Sequence, residues 1–286
     1  MILCRKIDEV KNTLKNLKKQ CKSVGFVPTM GYIHEGHISL VKKALEENDV
    51  VIASIFVNPL QFGPNEDFAK YPRNEKRDLA ILDSNNVDIV FLPENDEMYG
   101  NNFLTKIRVD KLSDVLCGKS RLGHFDGVCT VLSKLFHIIE PDRAYFGLKD
   151  YQQYIIVKKM VSDLNFNIKI VGLPIVRDDD GLAISSRNIY LSPENRKTAL
   201  CLNKSFNIVE NLLKNGILEP SIIKNKIKEY ILGFKNTRVD YIEIVDTETL
   251  EPLNEFKENF LLALAVFIGN TRLIDNRIFS LKSYNC

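Results

Sequence analysis

The chain has 286 residues, 45% of them hydrophobic and 27% charged, and its 39 lysines and arginines against 37 acids leave a net charge of +2. That length accommodates one large domain or two modest ones with real cores, and the net charge is too small for a nucleic-acid binder working through its field. Six cysteines (Cys4, Cys21, Cys117, Cys129, Cys201 and Cys286) form no C-x-x-C pair, which argues against a zinc ribbon, a redox motif or a disulfide scaffold and for reduced thiols.

In chain order, MILCRKIDEV offers at most three apolar residues after Met1, too few for the apolar core of a signal peptide. Ile7, Val10, Leu14, Leu17 and Cys21 then recur at helical spacing among lysines, which predicts a surface helix with a solvated basic face. Strand-like runs follow at SVGFVP (23–28), VVIASIFV (50–57), VDIVFLP (87–93), AYFG (144–147) and IKIVGLP (168–174). Between them lie the helix-patterned segments ISLVKKALEEN, RDLAILDSN, VCTVLSKLFHII and YQQYIIVKKMVSDLN. This alternation predicts an α/β domain over residues 1–175, a doubly wound parallel sheet with helices on both faces. From residue 176 the character changes. The polar RDDDGLAISSRN precedes helices over about 193–215 and 219–234, then strands at VDYIEIVD, FLLALAVFIG and TRLIDN, so 176–286 reads as a second, smaller α+β domain. The longest apolar run, FLLALAVFI, is far below the ~18 residues that suggest a membrane span and reads as a buried strand.

Ligands of an open parallel sheet bind beyond the carboxyl ends of its strands. The most unusual stretches fall there: TMGYIHEGH, NPLQFG, LKD with YQQ, and RDDDGLAISSRN. HEGH is not a zinc-protease motif, because that motif needs histidines at i and i+4 on one helix face, whereas His34 and His37 are three apart around Gly36. A turn opening into a helix fits better, and a helix start is an anion site. Gly31 and Gly36 permit close backbone approach to a phosphate, and both histidines add donors. His37 also shares a face with Leu40, Val41, Ala44 and Leu45, so spacing alone leaves a core histidine equally open; the three other loops favour the anion site. CGKS (117–120) lacks the first glycine of a Walker loop, Ser113 standing in its place, and no G-x-G-x-x-G follows a strand. Lys149 at the crevice edge suits charge developing on a phosphoryl group. Gln61 and Gln153 suit a substrate with hydroxyls and a carboxylate, and Ser185, Ser186 and Arg187 suit triphosphate oxygens.

VPTMGYIHEGHISLV, SIFVNPLQFGPNEDFAKYPR, GHFDGV, PDRAYFGLKDYQQ and IVRDDDGLAISSRNIYLS, in this order and at these separations, resemble the pantothenate synthetase (pantoate–β-alanine ligase) family over almost the whole chain. The resemblance implies a Rossmann-like first domain and a C-terminal lid. It implies a two-step ligation: pantoate attacks the α-phosphorus of ATP, and β-alanine then displaces AMP from pantoyl adenylate. Carried over by motif, His37 is the proton donor, with His34 and Lys149 as its catalytic companions. Met30, Gly31, Tyr32, Ile33, His34, Glu35, Gly36 and His37 lie along the ATP phosphates, and Gly147, Leu148, Lys149 and Asp150 border the nucleotide. Val176, Ile184, Ser185, Ser186 and Arg187 complete the ATP site. Gln61 meets pantoate and β-alanine, and Gln153 meets pantoate. The family further implies a cytoplasmic homodimer that uses Mg²⁺ with ATP and has no nucleic-acid or membrane partner.

Three departures stand out: Leu148 where the family commonly has a glutamate or glutamine, Ile184 where methionine or leucine is frequent, and Leu122 for the usual proline before GHF. Arg77 and Ile81 around Asp78 match the magnesium cluster of some members only in part, so no metal ligand is assigned. A tRNA synthetase of the same HxGH class would want K-M-S-K-S and a basic appendage, where this chain has AISSRN. A silent nucleotide-binding module is opposed by the retention of His34, His37, Lys149 and Arg187 together.

Overall fold

Runs of β-branched and aromatic residues, too apolar to face water on either side, build the first sheet. The computed structural model describes residues 1–64 and 66–284; Asn65 of the second motif and Cys286 of the six cysteines lie outside the described residues. In chain order the elements are β1 (Ile2–Cys4), α1 (Ile7–Lys19), β2 (Val24–Thr29), α2 (Glu35–Glu47), β3 (Val50–Ile55), α3 (Glu75–Ser84), β4 (Ile89–Phe91), α4 (Asn95–Met98), α5 (Cys117–Ser120), α6 (His124–Ile139), β5 (Arg143–Gly147), α7 (Tyr151–Asp163) and β6 (Lys169–Leu173). Then come α8 (Pro193–Lys214), α9 (Pro220–Leu232), β7 (Thr237–Val245), β8 (Asn259–Ile268) and β9 (Thr271–Ser280).

The described residues divide into two compact units, Met1–Ser113 with Arg121–Ile175, and Asp114–Ser120 with Val176–Cys286. The short segment Asp114–Ser120, which falls inside the 1–175 span expected from the sequence, thus clusters with the second unit. Its CGKS stretch is the four-residue α5.

In the first unit all strand pairings are parallel and the order is β1-β4-β3-β2-β5-β6. This is the expected Rossmann-like doubly wound sheet, with one addition. β1 is a three-residue edge strand with Ile2 and Leu3 exposed and Cys4 buried, too short for any periodicity to show. The central strands carry the core: Phe26, Val27, Val51, Ile52 and Ala53 are wholly buried. α2 lays Ile38, Val41 and Ala44 against Val27, Val51 and Tyr145. From β2 the chain passes to β3 on one side and later returns to β5 on the other. The carboxyl ends of β2 and β5 therefore flank the point where the strand order reverses, which is where such sheets open a crevice.

The second unit holds an antiparallel sheet, β7-β8-β9. α8 and α9 cover it, Phe206, Val209, Leu213, Ile223 and Ile227 packing with Leu262, Leu264 and Val266. Ser192 caps α8, its hydroxyl accepting from the Asn195 amide at 3.2 Å, and Pro193 occupies the first helical position. β9 runs to Ser280, beyond the TRLIDN stretch expected as strand.

Candidate active site

β2 ends at Thr29, whose hydroxyl donates to the Ser54 carbonyl at 2.7 Å and accepts from the Gly31 amide at 3.1 Å. Gly31 and Tyr32 then both take left-handed backbone conformations, φ +80° and +50°. Successive residues turned this way aim consecutive N–H groups at one point and form an anion nest. The anion is Asp78: its carboxylate accepts from Tyr32 N–H at 2.6 Å and from Ile33 N–H at 2.8 Å, and also from Arg77 Nη1 at 3.2 Å. Asp78 is 1% exposed, and a Cβ on Gly31 would sit 3.1 Å from its Oδ2. The Gly31 turn, expected from the sequence to approach a phosphate, is thus already filled by the protein's own carboxylate. Ile33 belongs to the core cluster.

His34 is the N-cap of α2, its carbonyl accepting from the His37 and Ile38 amides at 2.8 and 3.1 Å. Its own N–H donates to Nδ1 of His37 in a long bond of 3.4 Å. A neutral imidazole that accepts at Nδ1 carries its proton on Nε2 and presents a donor at its far end. The two rings stack with centroids 3.9 Å apart and planes 21° from parallel. Burial, then the nearby Lys149 cation, lowers the His34 pKa from its usual value to about 4. Burial, then His34 and Lys149, holds His37 well below the ordinary imidazole value. Both rings are therefore neutral donors at pH 7. His34 Nδ1 is buried with no partner among the described residues. The wholly buried face of α2 is Ile38, Leu40, Val41 and Ala44, and the His37 ring lies partly buried against His34.

β3 delivers the next loop. Asn58 opens a 3₁₀ turn over Pro59–Gln61, its side-chain oxygen accepting from Leu60 N–H at 3.3 Å. The Gln61 side chain is 8% exposed; its Nε2 donates to Met30 Sδ at 3.0 Å, and its Oε1 accepts from Asn58 Nδ2 at 3.1 Å. Asn58 in turn accepts from Tyr99 Oη at 2.8 Å. Neither Asn58 nor Tyr99 was singled out from the sequence as a site residue, and Asp78 stood out there only as an incomplete match to a magnesium cluster. Asn-Pro at a strand end is a turn signal that could have marked Asn58; nothing local marks Tyr99.

At the end of β5, Leu148–Asp150 forms a 3₁₀ turn leading into α7. Lys149 is partly buried, with Nζ 3.8 Å from Asp150 Oδ2, and its charge bears on both histidines. Leu148 turns toward the sheet, its Cδ2 2.7 Å from where a Cβ on Gly172 would be. Gln153 is half-buried on the first turn of α7, while its neighbour Gln152 is buried and donates to the Leu112 carbonyl at 2.8 Å. The exposed Leu122 does not leave its loop loose: the adjacent Arg121 binds Glu66 through two bonds of 2.7 and 2.6 Å. The structure thus brings together Met30, His34, His37, Gln61 and Lys149, three of the four loops expected to converge.

The fourth loop lies in the second unit. Arg177 pairs with Ala183 in an antiparallel bridge, and Ile184 N–H donates to the Val176 carbonyl at 3.0 Å, so Val176 and Ile184 face each other across a hairpin. Ser185 caps the following 3₁₀ turn, accepting from Arg187 N–H at 3.3 Å, and Ser186 is buried within that turn. The acidic run is paired: Asp178 and Asp180 lie 2.7 and 2.9 Å from Arg196, and Arg177 itself forms a two-bond pair with Asp275.

A sequence model of the family described as pantoate-beta-alanine ligase matches residues 2–278. The pantothenate synthetase of Pseudothermotoga lettingae is 51% identical over 278 residues, 97% of this chain and 99% of that protein. The crystal structure of pantothenate synthetase from Thermus thermophilus is similar at a TM-score of 0.92, with 42% identity over 98% of this chain and 99% of that one. The pantoate-beta-alanine ligase from Francisella tularensis, complexed with beta-gamma ATP and beta-alanine, superposes at a TM-score of 0.79, with 38% identity over 99% of this chain and 98% of that one. With a Rossmann-like sheet, paired neutral histidines at its switch point and this span of likeness, the chain belongs to the pantoate–β-alanine ligase family.

Proposed function

We propose that the chain ligates pantoate to β-alanine, cleaving ATP to AMP and diphosphate through pantoyl adenylate. The observation that carries the chemistry is the stacked pair His34 and His37 at the start of α2, with Lys149 acting on both. In the first step a pantoate carboxylate oxygen attacks the α-phosphorus, and the bond from that phosphorus to the β-bridging oxygen breaks. Negative charge grows on the transferring phosphoryl group and on the departing diphosphate. Lys149 supplies the full positive charge for the first, while His37 Nε2–H, with His34 beside it, donates to the second. Neutral donors suit this role because they bind phosphate oxygens without being titrated at the working pH. In the second step the β-alanine amine attacks the acyl carbon and AMP leaves.

ATP is assigned to Met30–His37, Gly147–Asp150, Val176 and Ile184–Arg187, pantoate to Gln61 and Gln153, and β-alanine to Gln61. Within the first segment, the Tyr32 and Ile33 N–H groups are spent on Asp78 and that of Gly31 on Thr29, so the His34–His37 end is the part assigned to the phosphates. Mg²⁺ is proposed to arrive with ATP as part of that substrate. Asp78 is poorly suited to hold it, since both its oxygens already accept turn N–H groups. Residues 1–175 are assigned to ATP and pantoate binding and 176–286 to a lid role, in a cytoplasmic homodimer. The test is isotope exchange: with ATP, Mg²⁺ and pantoate but no β-alanine, the protein should exchange labelled diphosphate into ATP, and adding β-alanine should release AMP. ADP as the stoichiometric product would sink the adenylate mechanism.

A further inference from the structure

The GHFDGV segment (123–128) has no role in the chemistry above. From its geometry we propose that it is the seat that fixes Gln61, with His124 as the positioning residue; this rests on Gln61 contacting pantoate and β-alanine. His124 opens α6, and its Nδ1 lies 2.7 Å from the Gln61 carbonyl oxygen. Its Nε2 lies 3.0 Å from Arg121 Nη1. A guanidinium can only donate, so Nε2 accepts and the ring proton sits on Nδ1, where it donates to the Gln61 carbonyl. Burial, then the Arg121 cation, holds the His124 pKa down to about 3, so the neutral ring keeps this tautomer across the working pH range. Arg121 is anchored in turn by its two bonds to Glu66, in the loop that follows Gln61.

Gly127, one turn further along α6, adds two restraints. A Cβ there would lie 2.3 Å from the Leu60 carbonyl oxygen and 2.6 Å from the Gln61 nitrogen, so only glycine lets the 3₁₀ turn rest on the helix. Its carbonyl accepts from Asn58 Nδ2 at 3.1 Å, and that same amide donates to Gln61 Oε1. The carbonyl, the backbone nitrogen and the side-chain oxygen of Gln61 are thus each set from α6 or through Asn58. A mere loop anchor would need one of these restraints; two on the Gln61 backbone and one on its side-chain oxygen fix the residue in place and orient its amide, which is what a substrate-binding amide requires.

The experiment is steady-state kinetics on the full chain with ATP, Mg²⁺, pantoate and β-alanine, with circular dichroism on every variant. Glutamine at 124 places its amide where Nε2 lay and strips the donor from the Gln61 carbonyl; asparagine keeps a donor near Nδ1. Expected for His124→Gln is a rise of about ten- to a hundredfold in KM for pantoate, with KM for ATP within about twofold. His124→Asn should recover most of that loss, and Gly127→Ala should resemble His124→Gln. Should those fail to fold, Glu66→Gln at its half-exposed site loosens Arg121 and gives the same split at about three- to tenfold. Folded variants with an unchanged pantoate KM overturn the seat, as do equal losses in the asparagine and glutamine variants or equal rises for ATP and pantoate. Gln61→Ala run in parallel separates the two claims: if it leaves pantoate and β-alanine KM untouched, the reading of Gln61 itself is what fails.

Discussion

Asparagine at position 78 would keep the shape of Asp78 while removing its charge and one acceptor. In the native protein the two carboxylate oxygens divide the work, Oδ2 taking Tyr32 N–H at 2.6 Å and Oδ1 taking Ile33 N–H at 2.8 Å. Asparagine can serve only one of these donors, and its NH₂ would face the other. A buried N–H left unpaired costs about 1–3 kcal/mol, and loss of charge assistance on the remaining bond removes about 1 kcal/mol more. The turn carries its own strain, because a tyrosine at φ +50° is held about 1–2 kcal/mol above its preferred backbone. Together these amount to about 3–6 kcal/mol, enough for the turn to relax. His34 begins α2 two residues later, so relaxation displaces both rings, and a shift of about 1 Å in catalytic groups costs about 10² in rate. Asp78→Asn should therefore lower kcat by about 10²–10³, with a native circular dichroism spectrum and a Tm reduced by roughly 5–10 °C. AMP release measured across a Mg²⁺ titration is the assay. A variant with native kcat and Tm would refute the clamp. Recovery of the full rate at high Mg²⁺ would refute it differently, by making Asp78 a metal ligand.

His37→Ala should fold normally and slow adenylate formation by about 10²–10³, the usual loss for one positioned donor; intact diphosphate exchange would return His37 to a purely structural part. Gln153→Ala should weaken pantoate by about 1–3 kcal/mol while leaving ATP nearly unaffected, as measured by KM for each; equal losses would contradict the assignment. Acid should destabilise the fold through His34. Its folded pKa of about 4 lies below the ordinary imidazole value near 6.5, so between these values the unfolded chain binds more protons. Stability from this group is complete above about pH 6.5 and falls by about 3 kcal/mol as the pH drops through 4, and His124 acts in the same direction. Urea midpoints at pH 7.5 and 4.5 check this, and His34→Gln with an undiminished pH slope would contradict it.

Much of this protein was determined by local sequence alone. Apolar runs such as VVIASIFV become the central buried strands, because such residues have no solvated face to offer. Alternation with helical periods implied parallel connectivity, and the HEGH, NPLQ and GLKD stretches stood at strand ends, where a parallel sheet opens its crevice. Only the tertiary structure decided which anion fills the Gly31 turn, how Gln61 is oriented, and that both histidines are neutral. Asp78 lies 46 positions from Tyr32, and His124 lies 63 from Gln61. Hydrogen bonds across such separations leave no period in the sequence, because they depend on where the chain returns in space. The histidines' charge state was hidden for the same reason: an imidazole pKa follows from its burial and from the cations packed near it, and Lys149 comes beside His34 and His37 only once β5 has aligned with β2.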